Sequence, residues 1–171
     1  MKAKDLLSIR HNPSIMFYGP AGCGKTALVS QSPNSYMFDF DDGMLTAALL
    51  EDKFSSLRRN CEFDTYVEDN PNLPKMWMKA ERKINEFITQ SAKGALKYDF
   101  ILVDSLTGMS KAIYLQVMHQ TGNVWNKPQI QHWGDMVLMM EKALTLLRSL
   151  KCPLILTAHE MSYVADGTNL I

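Results

Sequence analysis

The sequence feature that most constrains the fold is the stretch "GPAGCGKT" at residues 19–26, which places three glycines within six residues. A run so rich in glycine does not sit inside a regular helix or strand, because glycine loses more backbone freedom on ordering than any other residue. The apolar run Ser14–Tyr18 before it predicts a buried strand, and Lys25–Ser30 after it predicts a helix. The stretch therefore predicts a tight loop whose backbone can approach a ligand closely.

This loop fits the pattern G-x-x-x-x-G-K-[ST] in the strand–loop–helix context that phosphate-binding loops require. Its glycines let successive N–H groups turn inward around phosphate oxygens, and the start of the next helix favours negative charge. Lys25 is expected to reach the β- and γ-phosphates of ATP, and the Thr26 hydroxyl is expected to bind Mg²⁺. The residues expected to contact the nucleotide are Gly19, Pro20, Ala21, Gly22, Cys23, Gly24, Lys25, Thr26 and Ala27. The alternative is a glycine turn without a ligand.

Short apolar runs alternate with helical patterns along the rest of the chain. Strands are predicted at Ser35–Phe40, Glu62–Val67, Asp99–Asp104 and Pro153–Ala158, the second of these at a sheet edge. Longer helical patterns cover residues 75–95 and 135–151. Strands that alternate with helices predict right-handed crossovers and a mainly parallel sheet in an α/β fold. A length of 171 residues suits one domain.

Asp104 ends the apolar run "FILVD", where the carboxyl end of a parallel strand would face a ligand. We expect it to hold Mg²⁺, usually through water, and Ser105 could hydrogen-bond the same shell. The alternative is that Asp104 caps the helix predicted at "SLTGMSK".

A second acidic site, "DFDDG" at residues 39–43, follows the second predicted strand. Strand alternation would put Asp39 and Asp41 on one side and Asp42 on the other. Asp41, or with less support Asp42, is the candidate for orienting a water molecule in line with the γ-phosphate. The alternative is an acidic turn whose side chains bind their own backbone.

The last predicted strand ends in "TAHE", so Thr157, His159 and Glu160 are expected near the same edge of the sheet. A polar group there could contact the γ-phosphate and relay its presence to a neighbouring loop. The alternative is a hydrogen-bonded structural histidine.

Charge and composition exclude some classes of protein. Eighteen basic and eighteen acidic residues balance, so no overall field attracts nucleic acid or membrane. Three widely spaced cysteines suit a reducing compartment and match no metal-site spacing. No apolar run approaches the ~18 residues of a membrane span, and the N-terminus does not resemble a secretion signal. We therefore expect a cytoplasmic protein without a membrane partner.

In this order, "GPAGCGKT", "FDFDDG", "YDFILVDSLTGMS" and "CPLILTAHE" resemble the RecA-like branch of P-loop ATPases over most of the chain. The resemblance is closest to short, core-only RecA-like proteins encoded by phages, in which the stretch "KPQIQHWGDM" also looks familiar. It implies a P-loop NTPase fold with three α/β/α layers and the strand order 3-2-4-5-1. It also implies that residues 1–171 form a single core lacking the C-terminal strands of the full fold.

By position, Asp41 resembles the catalytic glutamate of RecA proteins, and His159 resembles the residue that couples the γ-phosphate to the DNA-binding loop. RecA itself has Glu and Gln at these places, and the shorter Asp could weaken water activation. The resemblance also implies single-stranded DNA and further copies of the chain, in a ring or filament, as partners. If the chain is encoded by a phage, the compartment would be the host cytoplasm.

Three functions stay open. The first is an ATPase acting on single-stranded DNA in recombination, annealing or replication. The second is a nucleoside or nucleotide kinase, although no arginine-rich lid is evident, and the third is a nucleotide-gated assembly factor with little turnover. Trp125 and Trp133 could stack on exposed bases, although packing of a long connection onto the core is the better-supported role for them.

Overall fold

The structure, a computed structural model, describes residues 12–45, 48–49, 61–123 and 126–160, and also the backbone of residues 164–165 and 168–169. Five strands form the main sheet: β1 (Ser14–Gly19), β2 (Ser35–Asp39), β3 (Cys61–Thr65), β4 (Phe100–Asp104) and β5 (Leu154–His159). Neighbouring strands all run parallel, in the order β1-β5-β4-β2-β3. Taken from the β3 edge, this is the predicted order 3-2-4-5-1, which is therefore confirmed.

The described helices are α1 (Lys25–Val29), α2 (Met76–Ala92), α3 (Leu106–Gln120) and α4 (Ile130–Arg148). Helix α4 begins at Ile130 rather than at Asp135, where its apolar pattern becomes regular. The buried ring of His132 explains the earlier start, because its Nδ1 accepts the backbone N–H of Gln129 at 3.0 Å. Residues 43–45 are helical, and β6 (Val164–Ala165) pairs antiparallel with β7 (Thr168–Asn169). In the described part of the chain, no helix could cross a membrane.

Alternation along the central strands divides the core between the two faces of the sheet. Tyr36 and Phe38 of β2 pack in the larger cluster, with Ile84 and Phe87 of α2 and side chains from α3 and α4. Met37, between them in sequence, packs on the opposite face in the smaller cluster, which includes Val29 of α1. Helices therefore cover both faces, and the predicted three-layer α/β/α arrangement is confirmed.

The prediction that Ser14–Tyr18 forms a buried strand is wrong about burial. These residues do form β1, but Ile15, Met16 and Tyr18 expose 45%, 54% and 73% of their surface. The physical reason is position: β1 lies at the edge of the sheet, and within the described residues only β5 pairs with it. An apolar run indicates a strand but does not state how many neighbours the strand has.

The parallel register brings the chemically interesting residues to one edge. Gly19, which ends β1, lies opposite His159 of β5, and Asp39 of β2 lies opposite Asp104 of β4. Because all five strands point the same way, their carboxyl ends form a single crevice, which is the usual ligand-binding edge of such sheets.

Phe87 is expected to be critical for stability because it is 1% exposed and its ring lies against Tyr36, Phe38 and Tyr98. Phe87→Ala should lower the free energy of unfolding by about 3–5 kcal/mol through lost burial and the cavity left behind. Urea titration followed by circular dichroism measures this loss. Asn85→Ala, at an exposed position on the same helix, should change it by less than about 0.5 kcal/mol, and an equal loss in both variants would contradict the assignment.

Candidate active site

The glycine-rich loop between β1 and α1 presents free backbone donors. Gly22 and Gly24 have φ values of 78° and 90°, in the left-handed region that favours glycine. Residues 20–24 are exposed, and no hydrogen bond among the described residues uses the backbone N–H groups of residues 22–25. Backbone donors are normally paired, so a row of unpaired ones on a loop is suited to an anion.

Lys25 lies across the start of the same loop. Its Nζ donates to the carbonyl oxygens of Gly19 and Pro20, each at 2.9 Å. No carboxylate among the described residues forms an ion pair with it. The ammonium is therefore held by neutral acceptors alone. Helix α1 begins at Lys25 and has only five residues, so its dipole is a small addition to the positive potential of the loop amides and Lys25.

Asp104 is the buried acceptor at the centre of the site, with 2% of its surface exposed. Its Oδ2 accepts the Thr26 hydroxyl at 2.5 Å, and its Oδ1 accepts the hydroxyl of Thr157. The structure thus brings together the two predicted metal-binding residues, Thr26 and Asp104. Thr157 was expected near this edge of the sheet, but its contact with Asp104 was not predicted.

The Thr26–Asp104 pair has the chemistry that Mg²⁺ requires. A hydroxyl and a carboxylate are hard oxygen donors, and Mg²⁺ is commonly held by one or two such groups together with water and phosphate oxygens. Across the described residues, no group of three or more His, Cys, Asp or Glu side chains could hold a metal. The backbone of Gly43 lies close to this pair, and a Cβ at Gly43 would lie only 2.9 Å from both Thr26 Oγ1 and Asp104 Oδ2.

Strand alternation predicted that Asp39 and Asp41 lie on the same side of the chain, and this prediction is wrong. Strand β2 ends at Asp39 and the chain then turns, so the two side chains lie in different environments. Asp39 is fully buried, and its carboxylate accepts the backbone N–H groups of Asp41, Gly43 and Met44 at 3.0–3.1 Å. Burial is the main cause that raises the pKa of Asp39, and the three backbone bonds oppose it only in part. The role expected of an acidic turn therefore falls to Asp39.

Asp41 instead lies beside the ends of β4 and β5. Its Oδ2 is 2.8 Å from Nε2 of His159 and accepts the hydroxyl of Ser105 at 2.5 Å. Ser105 is fully buried and also accepts the backbone N–H of Gly108, so its hydroxyl has one direction left in which to donate. Ser105 was expected near the metal, but its partner is Asp41. The structure therefore joins the two predicted residues Asp41 and His159, with Ser105 as a third member.

His159 is held by its backbone as well as its ring. Its N–H donates to Thr107 Oγ1 at 3.0 Å, and Glu160 donates its N–H to the carbonyl of Gly19. Because a carboxylate accepts, Nε2 must carry the proton in the contact with Asp41. The other ring nitrogen, Nδ1, is buried and has no partner among the described residues.

Gly108 permits this arrangement and was not identified from the sequence. A Cβ at this position would lie 2.7 Å from the carbonyl oxygen of Phe40, and still closer to Oδ1 of Asp41. The first turn of α3 can therefore approach the Asp41 carboxylate only with glycine there. A glycine early in a helical pattern is a weak signal, because its reason lies in residues distant in sequence.

A parallel α/β/α sheet with this loop and with Asp104 beside Thr26 defines the class of P-loop nucleotide-binding proteins. Within that class, a family profile described as an AAA domain matches residues 11–168. The chain belongs to this family of P-loop ATPases, which supports nucleotide binding and hydrolysis. No curated protein matches the chain.

One solved structure with a similar fold is described as a prototypical ATPase from the type III secretion system of pathogenic bacteria. The TM-score is 0.55 at 18% sequence identity, and the match covers 91% of this chain and 47% of that one. The chain thus spans about half the length of that ATPase. At this level of identity the likeness concerns the fold.

The raised pKa of Asp39 predicts how stability depends on pH. The ordinary pKa of this group is 3.8, and the pKa in the folded chain is higher. As the pH rises, Asp39 therefore loses its proton in the unfolded chain before it does so in the folded chain. The contribution of this group to stability is present below the unfolded pKa and is lost as pH rises through the folded pKa. Asp39→Asn should remove this loss, so the variant's free energy of unfolding should change less as the pH rises above 3.8. Urea titrations at several pH values measure it.

Asp135→Asn, at an exposed position of α4, removes one negative charge without touching the turn and serves as the control. Equal pH slopes for wild type and Asp39→Asn would contradict a raised pKa for the buried Asp39 side chain.

Proposed function

We propose that the protein is a Mg²⁺-dependent, RecA-like ATPase that acts on single-stranded DNA in recombination, annealing or replication, as the resembling phage proteins would. The observation that supports it best is the convergence at one sheet edge of Lys25, the Thr26–Asp104 pair and the Asp41–His159 pair. Each pair joins residues far apart in sequence, and each supplies a separate part of phosphoryl-transfer chemistry.

In this proposal the loop at residues 19–27 binds the phosphates of ATP through its free N–H groups. Lys25 exchanges the carbonyl oxygens of Gly19 and Pro20 for β- and γ-phosphate oxygens, a favourable change because the new acceptors are charged. The hydroxyl of Thr26 and the carboxylate of Asp104 hold Mg²⁺, which supplies charge neutralisation at the phosphates when bound. Thr157 keeps Asp104 oriented by occupying its second oxygen.

Asp41 is proposed to orient the attacking water. Its Oδ2 is engaged by Ser105 and His159, whereas its Oδ1 receives no hydrogen bond from the described residues. A carboxylate fixed through one oxygen can direct the other at a water molecule, which is the arrangement that in-line attack requires. His159 would sense the γ-phosphate. If its ring moved toward the phosphate, its contact with Asp41 would lengthen, and the presence of the phosphate would in this way be passed to Asp41.

The role in DNA binding rests on the resemblance and on the RecA-like strand order. Trp133 supports it weakly: its ring stacks on Tyr114 with 5.6 Å between centroids and is 47% exposed, so it is partly packed, as the alternative expected. Trp125 lies outside the described residues. The proposal also includes two structural points. Residues 1–171 form one RecA-like core, and this core assembles with further copies of the chain in a ring or filament.

A nucleotide-gated assembly factor with little turnover is the second candidate. It is favoured by the contacts of Asp41, since Ser105 and His159 already occupy one oxygen of the carboxylate and leave only the other for a water molecule. A kinase is less well supported. Arg148 ends the helix that leads to the amino end of β5, on the opposite edge of the sheet from the loop. Arg82 borders a cavity beside β3, and Arg10, Arg58 and Arg59 lie outside the described residues.

Lys25→Ala should abolish ATP binding and leave the fold intact, because the described contacts of the ammonium are all within the loop, with the carbonyl oxygens of Gly19 and Pro20 and the sulfur of Cys23. Isothermal titration calorimetry with ATP and Mg²⁺ measures the affinity, and thermal unfolding without nucleotide checks the fold. Lys79→Ala, an exposed lysine of α2, is the matched control for loss of one positive charge. Normal ATP affinity in Lys25→Ala would contradict the role of the loop in binding the phosphates of ATP.

ATP hydrolysis with and without single-stranded DNA separates the candidate functions. We expect DNA to stimulate phosphate release, and Asp41→Asn to keep ATP affinity within about threefold while losing most of the turnover, since positioned acid–base groups contribute roughly 10²–10⁴-fold. Stimulation by nucleosides instead would favour a kinase. Tight ATP binding without turnover in either condition would favour the assembly factor.

A further inference from the structure

A cavity of about 280 Å³ adjoins Asp41 and is separate from the phosphate loop. One wall is the segment after β3, which contributes Val67 and Pro71. The other is a face of α3 on which Gly108, Lys111 and Leu115 recur at helical spacing. Its volume lies just below the usual range for small-molecule sites, about 300–1,000 Å³.

The walls of this cavity are fixed by contacts already present. Phe40 and Tyr66, at 5% and 4% exposure, pack with ring centroids 5.3 Å apart and form its aromatic side. Glu68 anchors the loop wall, because its Oε2 accepts the backbone N–H groups of Lys75 and Met76 at 2.7 and 2.9 Å. The cavity is therefore preformed, and a ligand would not have to order it first.

Besides Glu68, whose Oε2 is engaged by the backbone N–H groups of Lys75 and Met76, two polar groups line the cavity and lie at different ends of it. Oδ1 of Asp41 is an acceptor to which no described residue donates, because Ser105 and His159 both engage Oδ2. Lys111 is exposed, and no described carboxylate forms an ion pair with its ammonium. An acceptor thus lies beside apolar and aromatic walls, and an available cation lies toward solvent.

We propose that this cavity binds one nucleotide unit, with the base against the aromatic and aliphatic walls and its phosphate on Lys111. A base has a flat apolar face for such walls and ring or exocyclic N–H groups that can donate to Asp41 Oδ1. An acidic group deep in the cavity would meet the carboxylate, so the anionic part of a ligand belongs at Lys111. A purely apolar ligand would leave Oδ1 desolvated and unpaired, which is unfavourable.

This inference deepens the proposed function and rests on it in one respect: a base seated here would donate to Oδ1 of Asp41, the oxygen proposed to orient water. A carboxylate oxygen has two lone pairs, so Oδ1 can accept from the base and from a water molecule together. The unit could come from a single strand of nucleic acid or from a free mononucleotide, since both offer a base linked to a phosphate. The cavity is distinct from the triphosphate loop, so the two sites can be tested separately.

The test uses the full chain with a non-hydrolysable ATP analogue and Mg²⁺ at saturation, so that the phosphate loop is occupied. Fluorescence anisotropy measures the affinity for labelled oligo(dT), and thymidine 5′-monophosphate is the competitor. The same titrations in Lys25→Ala, where the loop is disabled, separate this proposal from the proposed function. Binding that survives in Lys25→Ala supports the cavity even if no ATP turnover is found.

Two variants address the cavity from different sides. Lys111→Gln removes the phosphate contact and should weaken binding about tenfold or more, the factor for one lost charge-assisted bond. Val67→Trp, at a position 39% exposed, should fill the cavity and weaken binding at least as much without disturbing the core. Lys93→Gln, an exposed lysine just beyond α2, should leave the affinity unchanged.

Competition by the mononucleotide would support a small-molecule source, and binding of the oligonucleotide alone would support a nucleic acid strand. The proposal is overturned if neither probe binds, or if binding is equal in wild type, Lys111→Gln and Val67→Trp. Thermal unfolding of each variant establishes that a lost signal is not lost fold.

Discussion

The carboxylate of Asp104 is the contact on which the rest of the site depends. It is buried at the end of β4, and its two oxygens accept hydroxyls from Thr26, in the phosphate loop, and from Thr157 on β5. A buried carboxylate is costly unless it is hydrogen-bonded, so these two bonds both stabilise it and lock three segments together. That geometry exists because β5 lies between β1 and β4 in the sheet.

The turn after β2 gives two nearby carboxylates different roles: Asp39 stabilises the turn, and Asp41 is the one proposed to orient water. Asp39 is buried and holds the turn through three backbone bonds, one of them from the N–H of Asp41, and the side chain of Asp41 instead contacts Ser105 and His159. A change at His159 would be transmitted to Asp41 through one hydrogen bond, and from there to the cavity beside α3. Asp41 therefore borders that cavity and also contacts His159, which lies opposite Gly19 at the start of the phosphate loop.

Sequence patterns predicted much of this arrangement for reasons that are local. The glycine loop follows from the conformations that glycine allows, and the strands follow from short apolar runs bounded by turns. The errors have local causes as well. Alternation was extended past Asp39, where the strand had already ended, and α4 was begun at Asp135 because the buried ring of His132 is not visible in the apolar pattern.

The sequence by itself determined the strand–loop–helix unit at residues 14–30 and the class of chemistry, because these depend on neighbours along the chain. Only the tertiary structure decided which side chains meet. Thr26 and Asp104 are 78 residues apart, and Asp41 and His159 are 118 apart, so both contacts depend on strand order and register. It also decided that β1 is an exposed edge and that Asp39 is buried while Asp41 is not, because burial depends on what packs beside a residue and not on the residue's own type.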